Sequence, residues 1–557
     1  MRLPRFPYLP PWRGWPLALL CALYLLPGLI GHDPWKNDDA LHFGITWELL
    51  RGGDWLTPHI VGTPWLETPP LYYWIAALCG HLFGGLLPLH DAIRLATGLY
   101  GALFLTLLAF ASRLLHKATP QPDQTLNLLA PQARRLAGNA APLIAIGCLG
   151  LLVPIHETQP LIALLAASAT AYGGLALLPL RPLAGGLLAG LGIGLGFLAS
   201  GLIALAHLLP LLLILPLNPH WRSRKALSGL LIAVLVTTLI CLTWGLLLAW
   251  QRPALYPSWI EQLTSSLRFH TDGWRMLPDL LEMLAWFAWP ALPLALWSLW
   301  LNRRHLGQPA ISLPLIGALT SFIVLLLTGE PRPLAALPLL VPLILQAASS
   351  VHLLRRGATN AFDWFGMMSF TLFIGLVWLG GVALSFGIPA QVARNAAKLA
   401  PGFVAVFSPT AYAIALLLTI TWLWLIFASP RSTWRGLSHW AAGVTLAWTL
   451  LITLWLPWID YGKSYRSLAS ALQQSLPEKQ DCIAARDLGI TQRISLEYFA
   501  NIRTMPADTP AGQACTLRLN QGTGQLEKAP KGWHKRWEGH RPSDRNERLR
   551  LYQKNRP

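Results

Sequence analysis

Asp38 and Asp39 stand side by side in H-D-P-W-K-N-D-D-A-L-H-F-G-I-T-W-E-L-L-R-G-G-D-W, a polar stretch directly after the first long apolar run of a mostly apolar chain. A carboxylate there could hold an attacking group and, if that group is a hydroxyl, take its proton. Two adjacent carboxylates could also help fix a divalent ion, although no cofactor is required by the pattern. Asp33, Glu48, Asp54 and Glu67 make the segment acid-rich close to lipid. An unpaired carboxylate in hydrocarbon is costly, so the segment must face water or line a site. It reads as the catalytic loop of a membrane enzyme. The plainer alternative for Asp38 and Asp39 is that they cap an amphipathic helix beginning near Ala40.

The elements that must carry this loop are spanning helices. The chain has 557 residues, 54% hydrophobic and 12% charged, with 27 Trp and 45 Pro, which excludes a single soluble core. The formal charge of +18 is spread as small Lys/Arg clusters between apolar runs, a pattern of membrane-facing loops rather than nucleic-acid binding. Apolar runs recur at roughly 15–31, 94–115, 139–155, 160–179, 183–199, 202–217, 226–250, 284–301, 310–328, 333–350, 362–386, 409–428 and 437–458, giving about thirteen expected spans.

With the N-terminus inside as a retained signal anchor, the inward loops carry Arg113, Lys117, Arg134, Arg135, Arg181, Arg222, Arg224, Lys225, Arg303, Arg304, Arg355, Arg356, Arg431 and Arg435. Counting 71–87 as a span would invert this pattern. That segment, opened by Pro69-Pro70 and rich in Tyr72, Tyr73 and Trp74, is therefore expected to be an interfacial or re-entrant helix.

The expected architecture is an all-α polytopic membrane domain over 1–459, with a catalytic loop at 32–93, followed by a small α/β domain over 460–557 on the outer side. Cys482 and Cys515 lie in that polar tail, where a disulfide is the first reading and two free thiols the alternative. Its W-H-K-R-W-E-G-H-R segment, with Trp533, Trp537, Arg541, Arg545, Arg548 and Arg550, fits either a glycan- or lipid-docking patch or an aromatic core beneath a solvated strand face.

The first loop, with N-D-D-A-x-x-x-G-I-x-x-x-L-x-x-G-D-W followed by G-T-P-W-L-E-T-P-P-L-Y-Y-W, resembles polyprenyl-phosphate-sugar-dependent glycosyltransferases of the GT-C superfamily. The aminoarabinose transferase and protein O-mannosyltransferase branch is the nearest likeness. The resemblance implies a GT-C-like fold in a bacterial inner membrane with the C-terminal domain in the periplasm. It also implies a polyprenyl-phosphate-linked sugar donor and a lipid A, glycan or protein acceptor, in contact with membrane lipid. By position it makes Asp38 the catalytic aspartate, Asp39 its acidic neighbour, and Glu67 the glutamate of the later motif, beside Tyr72 and Tyr73. His156-Glu157-Thr158-Gln159 falls where the family has a second aspartate; Gln159 takes that slot and Glu157 is the substitute acid. Arg332 matches a basic position near the donor phosphate, and Arg268, His270 and Arg275 are further cations that equally suit interface anchoring.

Two lysines of the family pattern are replaced by Thr68 and Ser200. These departures leave a second reading open, a weak or inactive relative that binds polyprenyl lipid within an envelope complex, and they leave aminoarabinose unassigned as the sugar. A transporter is a more distant third, because paired charges in mid-span are largely missing.

Overall fold

The structure is a computed structural model that describes residues 12–118, 130–265, 267, 273–328, 332–430, 432–478, 482–523 and 529–555. Arg268, His270 and Arg431 lie outside the described residues, and Arg134 and Arg135 outside the described side chains.

Every apolar run named above forms helix, but the lengths differ from expectation. Among the described residues, eight helices are long and apolar enough to cross a bilayer, including Pro160–Leu177, Pro182–Ser200 and Pro409–Ala428. Two more runs are bent pairs, Ala137–Gly147 with Leu149–His156 (66°) and Gly273–Phe287 with Ala291–Leu301 (99°). By length and composition alone, eight of the roughly thirteen expected runs qualify as single long spans among the described residues, or ten with the bent pairs. The remaining three runs are short helices, for reasons visible in the residues. Trp15–Leu25 stops before Pro27 and Gly28, and the latter has φ +88°. Leu202–Leu217 contains Pro210 and ends in a 3-10 turn, and Pro333–Ala348 begins in one and contains Pro342.

Leu71–Phe83 is a helix of 13 residues, about 20 Å long against a hydrocarbon layer of about 30 Å. It buries Tyr72, Tyr73, Ala76, Ala77 and Gly80 against the Asp38–Leu50 and Leu89–Ala118 helices and leaves Leu78 and Leu82 exposed. Small residues bring the bundle together. An added Cβ at Gly174 would lie 2.2 Å from the Ala189 amide nitrogen, so the Pro160–Leu177 and Pro182–Ser200 helices touch backbone to backbone.

The chain after Ser464 forms a five-stranded mixed sheet in the spatial order Met505–Pro506, Ile483–Arg486, Leu517–Gly522, Arg548–Lys554, Trp533–Gly539. The first three strands run parallel and the last two pairings are antiparallel. Its core is built from Leu468, Leu472, Ile483, Leu496, Leu517, Leu519, Leu549 and Leu551, with helices Arg466–Ser475 and Ile490–Ala500 contributing. The basic residues of the Trp533 segment are mostly paired with acids: Arg541 with Asp544 and Glu547, Arg548 and Arg550 with Glu538. Trp537 packs on the core, so this segment follows the plain reading of a strand face.

Cys482 and Cys515 are joined in a disulfide, with Cα atoms 5.2 Å apart and a sequence separation of 33. Closing a loop of that size contributes about 3–4 kcal/mol on chain-entropy grounds. Reducing the bond, or replacing both cysteines by serine, should lower the melting temperature of the C-terminal unit in a thermal scan while the helical bundle unfolds as before.

Candidate active site

The first loop is held by a fully buried guanidinium. Asp91 and Arg94 lie one turn apart near the start of the Leu89–Ala118 helix, and Arg94 has no exposed surface. Its Nη1 donates to Asp91 Oδ1 (3.0 Å) and to the carbonyls of Leu29 and His32, and its Nη2 reaches Asp39 Oδ2 (3.4 Å). Asp39 also accepts from the amides of Trp35 (2.9 Å) and Thr158 (2.8 Å). Burial alone would raise this carboxyl, but the Arg94 charge and those two amides outweigh it and bring it down to about 2.

The end of the last long helix closes the loop from the other side. Asp460 accepts from the Asp33 amide and from Trp35 Nε1, both at 2.9 Å. Asp33 in turn accepts from Ser464 Oγ (2.6 Å) and Arg466 Nε (2.9 Å). Lys463 lies 4.2 Å from the centre of the Trp35 ring.

This frame separates the two adjacent acids. The helix runs from Asp38 to Leu50, with Asn37 as N-cap and no side-chain cap hydrogen bond, so capping does not explain the Asp pair. Asp39 points into the frame. Asp38 is half-buried, and among the described residues its carboxylate takes no hydrogen bond. Burial and the neighbouring Asp39 raise its pKa, while the Arg332 guanidinium opposes the rise. Arg332, 294 positions later in the numbering, is thus within electrostatic reach of Asp38.

Glu157 joins the same place. Burial, followed by the charge of Asp39, pushes its carboxyl up to about 8, with Lys463 and Arg94 opposing and Asp38 adding to the rise. Tyr73 feels both Glu67 and Asp38, and its hydroxyl bonds to His42 Nδ1 (2.9 Å) and Thr68 Oγ1 (2.8 Å). Trp65 Nε1 donates to the same Thr68 oxygen (2.8 Å). Gly201, next to Ser200, comes against Pro69, so the two positions where lysines are replaced lie at neighbouring turns.

Asp38, Arg332, Glu157, Tyr73 and Glu67 are therefore gathered together, with Glu67 exposed at the rim. Other expected residues are used by the frame. Both ring nitrogens of His156 face backbone carbonyls, of Leu152 (2.6 Å) and Tyr24 (2.7 Å), and the ring packs on Trp448. Gln159 is the N-cap of Pro160–Leu177, its side chain accepting from the Leu161 amide. Tyr72 is buried, its hydroxyl 2.6 Å from Thr97 Oγ1. Both ring nitrogens of His156, the hydroxyl of Tyr72 and the side-chain oxygen of Gln159 are thus engaged within the protein. Arg275 lies over its neighbour Trp274, with 5.7 Å from guanidinium carbon to ring centre, in keeping with an interface anchor.

Sequence reasoning missed Arg94, Asp91, Asp460 and Lys463. The available signal was an Asp-x-x-Arg pair opening a long apolar helix, where ionisable residues are expensive and rarely idle. Among the described residues, no three His, Cys, Asp or Glu side chains are grouped so as to hold a metal ion.

Comparison with known proteins accords with this geometry. No family model matches the chain. An undecaprenyl phosphate-alpha-4-amino-4-deoxy-L-arabinose arabinosyl transferase from Edwardsiella ictaluri is 30% identical over 467 residues, covering 80% of this chain and 77% of the relative. The chain belongs to this transferase family. The enzyme of the same name from Pseudomonas aeruginosa is 28% identical over 450 residues, covering 79% and 75%. Membership makes the chain a multi-pass membrane glycosyltransferase of the kind that uses a lipid-linked donor. The crystal structure of ArnT from Cupriavidus metallidurans bound to undecaprenyl phosphate superposes with a TM-score of 0.66 at 16% identity, over 96% of this chain and 97% of that one. Its apo state gives 0.63. The family fold is thus preserved along nearly the whole length, including the C-terminal unit.

Proposed function

We propose that the chain transfers a sugar from a polyprenyl-phosphate carrier to a cell-envelope acceptor at the outer face of a bacterial inner membrane, with Asp38 facing the reacting centre. The observation that carries this is the separation of the acid pair: Asp39 is locked to Arg94, Trp35 and Thr158, while Asp38 stays half-buried without a described hydrogen bond and with Arg332 in reach. The basic clusters of the opposite loops and the disulfide in the C-terminal unit support the orientation, N-terminus inside and C-terminal unit outside.

In this reading the acceptor oxygen attacks the anomeric carbon with inversion, and the bond from that carbon to the carrier phosphate breaks, its electron pair leaving on the phosphate oxygen. Arg332 steadies the departing phosphate through its forked donors. If the acceptor is a hydroxyl, its proton goes to Asp38; if it is a phosphate, Asp38 only orients it. Asp39 is a positioning residue. The relatives' name favours an amino-pentose carried on undecaprenyl phosphate as donor, with lipid A, a glycan or a protein as the acceptor. Thr68 and Ser200, where lysines are expected, require that the phosphate be held by Arg332 more than by side chains of that turn. Replacing Arg332 by Ala should raise the KM for a lipid-linked donor at least about tenfold, and Lys should restore part of it as a point charge. Equal donor KM in all three proteins, measured by release of polyprenyl phosphate, would remove Arg332 from the site.

Glu157 sets a pH signature. With its carboxyl raised to about 8, it is protonated at neutral pH and can donate a hydrogen bond to an acceptor or donor oxygen. Activity should fall as pH rises through that value, and Glu157→Gln should abolish this limb of the profile. The sign for stability is the same: the folded form holds the proton more tightly than the unfolded chain, so stability declines from the ordinary carboxylate range up to about pH 8, and the Gln variant should flatten that decline.

A further inference from the structure

A cleft of about 720 Å³ lies between the far end of the Asp38–Leu50 helix and the C-terminal unit, and the reaction above leaves it unused. Its size is that of a small-molecule site. One wall carries Glu48 and Arg51 with the backbone of Gly52, Gly53 and Gly62; the other carries Arg493, Glu497 and Arg503. Arg51 and Arg503 share one carboxylate, Glu497, at 2.9 and 3.0 Å. Arg493 donates Nε and Nη2 to the hydroxyl and carbonyl of Thr504, and its Nη1 makes no hydrogen bond to a described residue. Glu48 faces the Gly62 amide at the turn of a short antiparallel hairpin, His59–Ile60 with Thr63–Pro64, and Asp54 at the edge is paired with Arg252 outside the cavity.

Three guanidinium groups therefore face two carboxylates, among exposed backbone groups at glycines. Interleaved donors and acceptors suit sugar hydroxyls, and the surplus cation suits an acidic substituent. The placement is equally specific. Glu48 lies ten residues beyond Asp38 on one continuous helix, about 15 Å along its axis. A large acceptor reacting beside Asp38 needs only to span that distance to reach the cleft.

We propose that this cleft binds an acidic glycan carried by the acceptor, holding the acceptor at a second point between the first loop and the C-terminal unit. The role in acceptor recognition rests on the transferase reading, whereas glycan binding itself does not.

The test uses the full chain in lipid nanodiscs and, as probe, free core oligosaccharide released from lipopolysaccharide, with a neutral malto-oligosaccharide as control. Calorimetry should show binding of the acidic probe, weakened at least about tenfold, or about 1.4 kcal/mol, in Arg493→Gln/Arg503→Gln. Met505→Trp, which fills the cleft from an exposed edge without changing charge, should weaken it similarly. In a transfer assay both variants should raise the KM for core-bearing lipid A at least tenfold, with kcat and donor KM within twofold of the parent. Failure of the parent to bind the acidic probe, equal binding by the variants, or equal affinity for the neutral probe overturns the proposal. Binding that the variants lose, with no sugar transferred from any lipid-linked donor, would uphold the cleft and sink the transferase reading instead.

Discussion

Asp38→Asn should lower the turnover of sugar transfer by about 10³-fold or more while leaving the protein folded, because a positioned acid or base contributes on this order. The change is isosteric, and Asp38 makes no hydrogen bond to a described residue that the fold would lose. The melting temperature should therefore stay within a degree or two of the parent, and the KM for the donor should move little. Asp39→Asn is the instructive contrast. It removes a charge that meets Arg94 in a fully buried site, so its loss of activity should come with loss of stability. Turnover near the parent level in a well-folded Asp38→Asn protein would take Asp38 out of the chemistry.

Arg94→Leu should be the most damaging single substitution for the fold. It strands the carboxylates of Asp39 and Asp91 and frees the carbonyls of Leu29 and His32, all in a buried setting. Removing one partner of a buried ion pair costs about 3–5 kcal/mol, a large share of the stability of an ordinary domain. The expected result is a sharp fall in monodisperse protein after detergent extraction and a melting temperature many degrees lower. Adding Asp91→Asn to the Leu variant should recover part of the loss, since one stranded charge is then removed. A freely folding Arg94→Leu protein would mean that the loop is held mainly by the Asp33, Asp460 and Arg466 contacts.

The parts of the fold legible in the sequence are those governed by local pattern. Apolar runs announce helices, and the shift to polar composition after Ile459 announces the C-terminal unit, because each depends on residues close in sequence. Three of the runs counted as spans form shorter helices than expected because Pro and Gly end or soften a helix inside a run that remains apolar: Pro27 and Gly28 after Leu25, Pro210 within Leu202–Ile214, Pro342 within Leu337–Ala348. The first loop was legible as a motif, which led to Asp38, but the motif alone does not say which acid of the pair is free. That distinction is made by Arg94 and the Thr158 amide, 55 and 119 residues away from Asp39. Likewise His156 and Gln159 look available as polar residues in an outward turn, whereas the His156 ring nitrogens face the Tyr24 and Leu152 carbonyls and the Gln159 side-chain oxygen accepts from the Leu161 amide. Lys463 and Asp460 read as the start of a tail, and only folding brings them back to Trp35 across more than four hundred residues.

The most direct test is mass spectrometry of the products formed by the purified chain in vesicles supplied with lipid A and a panel of undecaprenyl-phosphate-linked sugars, the amino-pentose included. Sugar-bearing acceptor should appear in step with free undecaprenyl phosphate for at least one donor, and both should vanish in Asp38→Asn. Binding of the carrier lipid without either product, for every donor and equally in both proteins, would contradict a transferase built around Asp38.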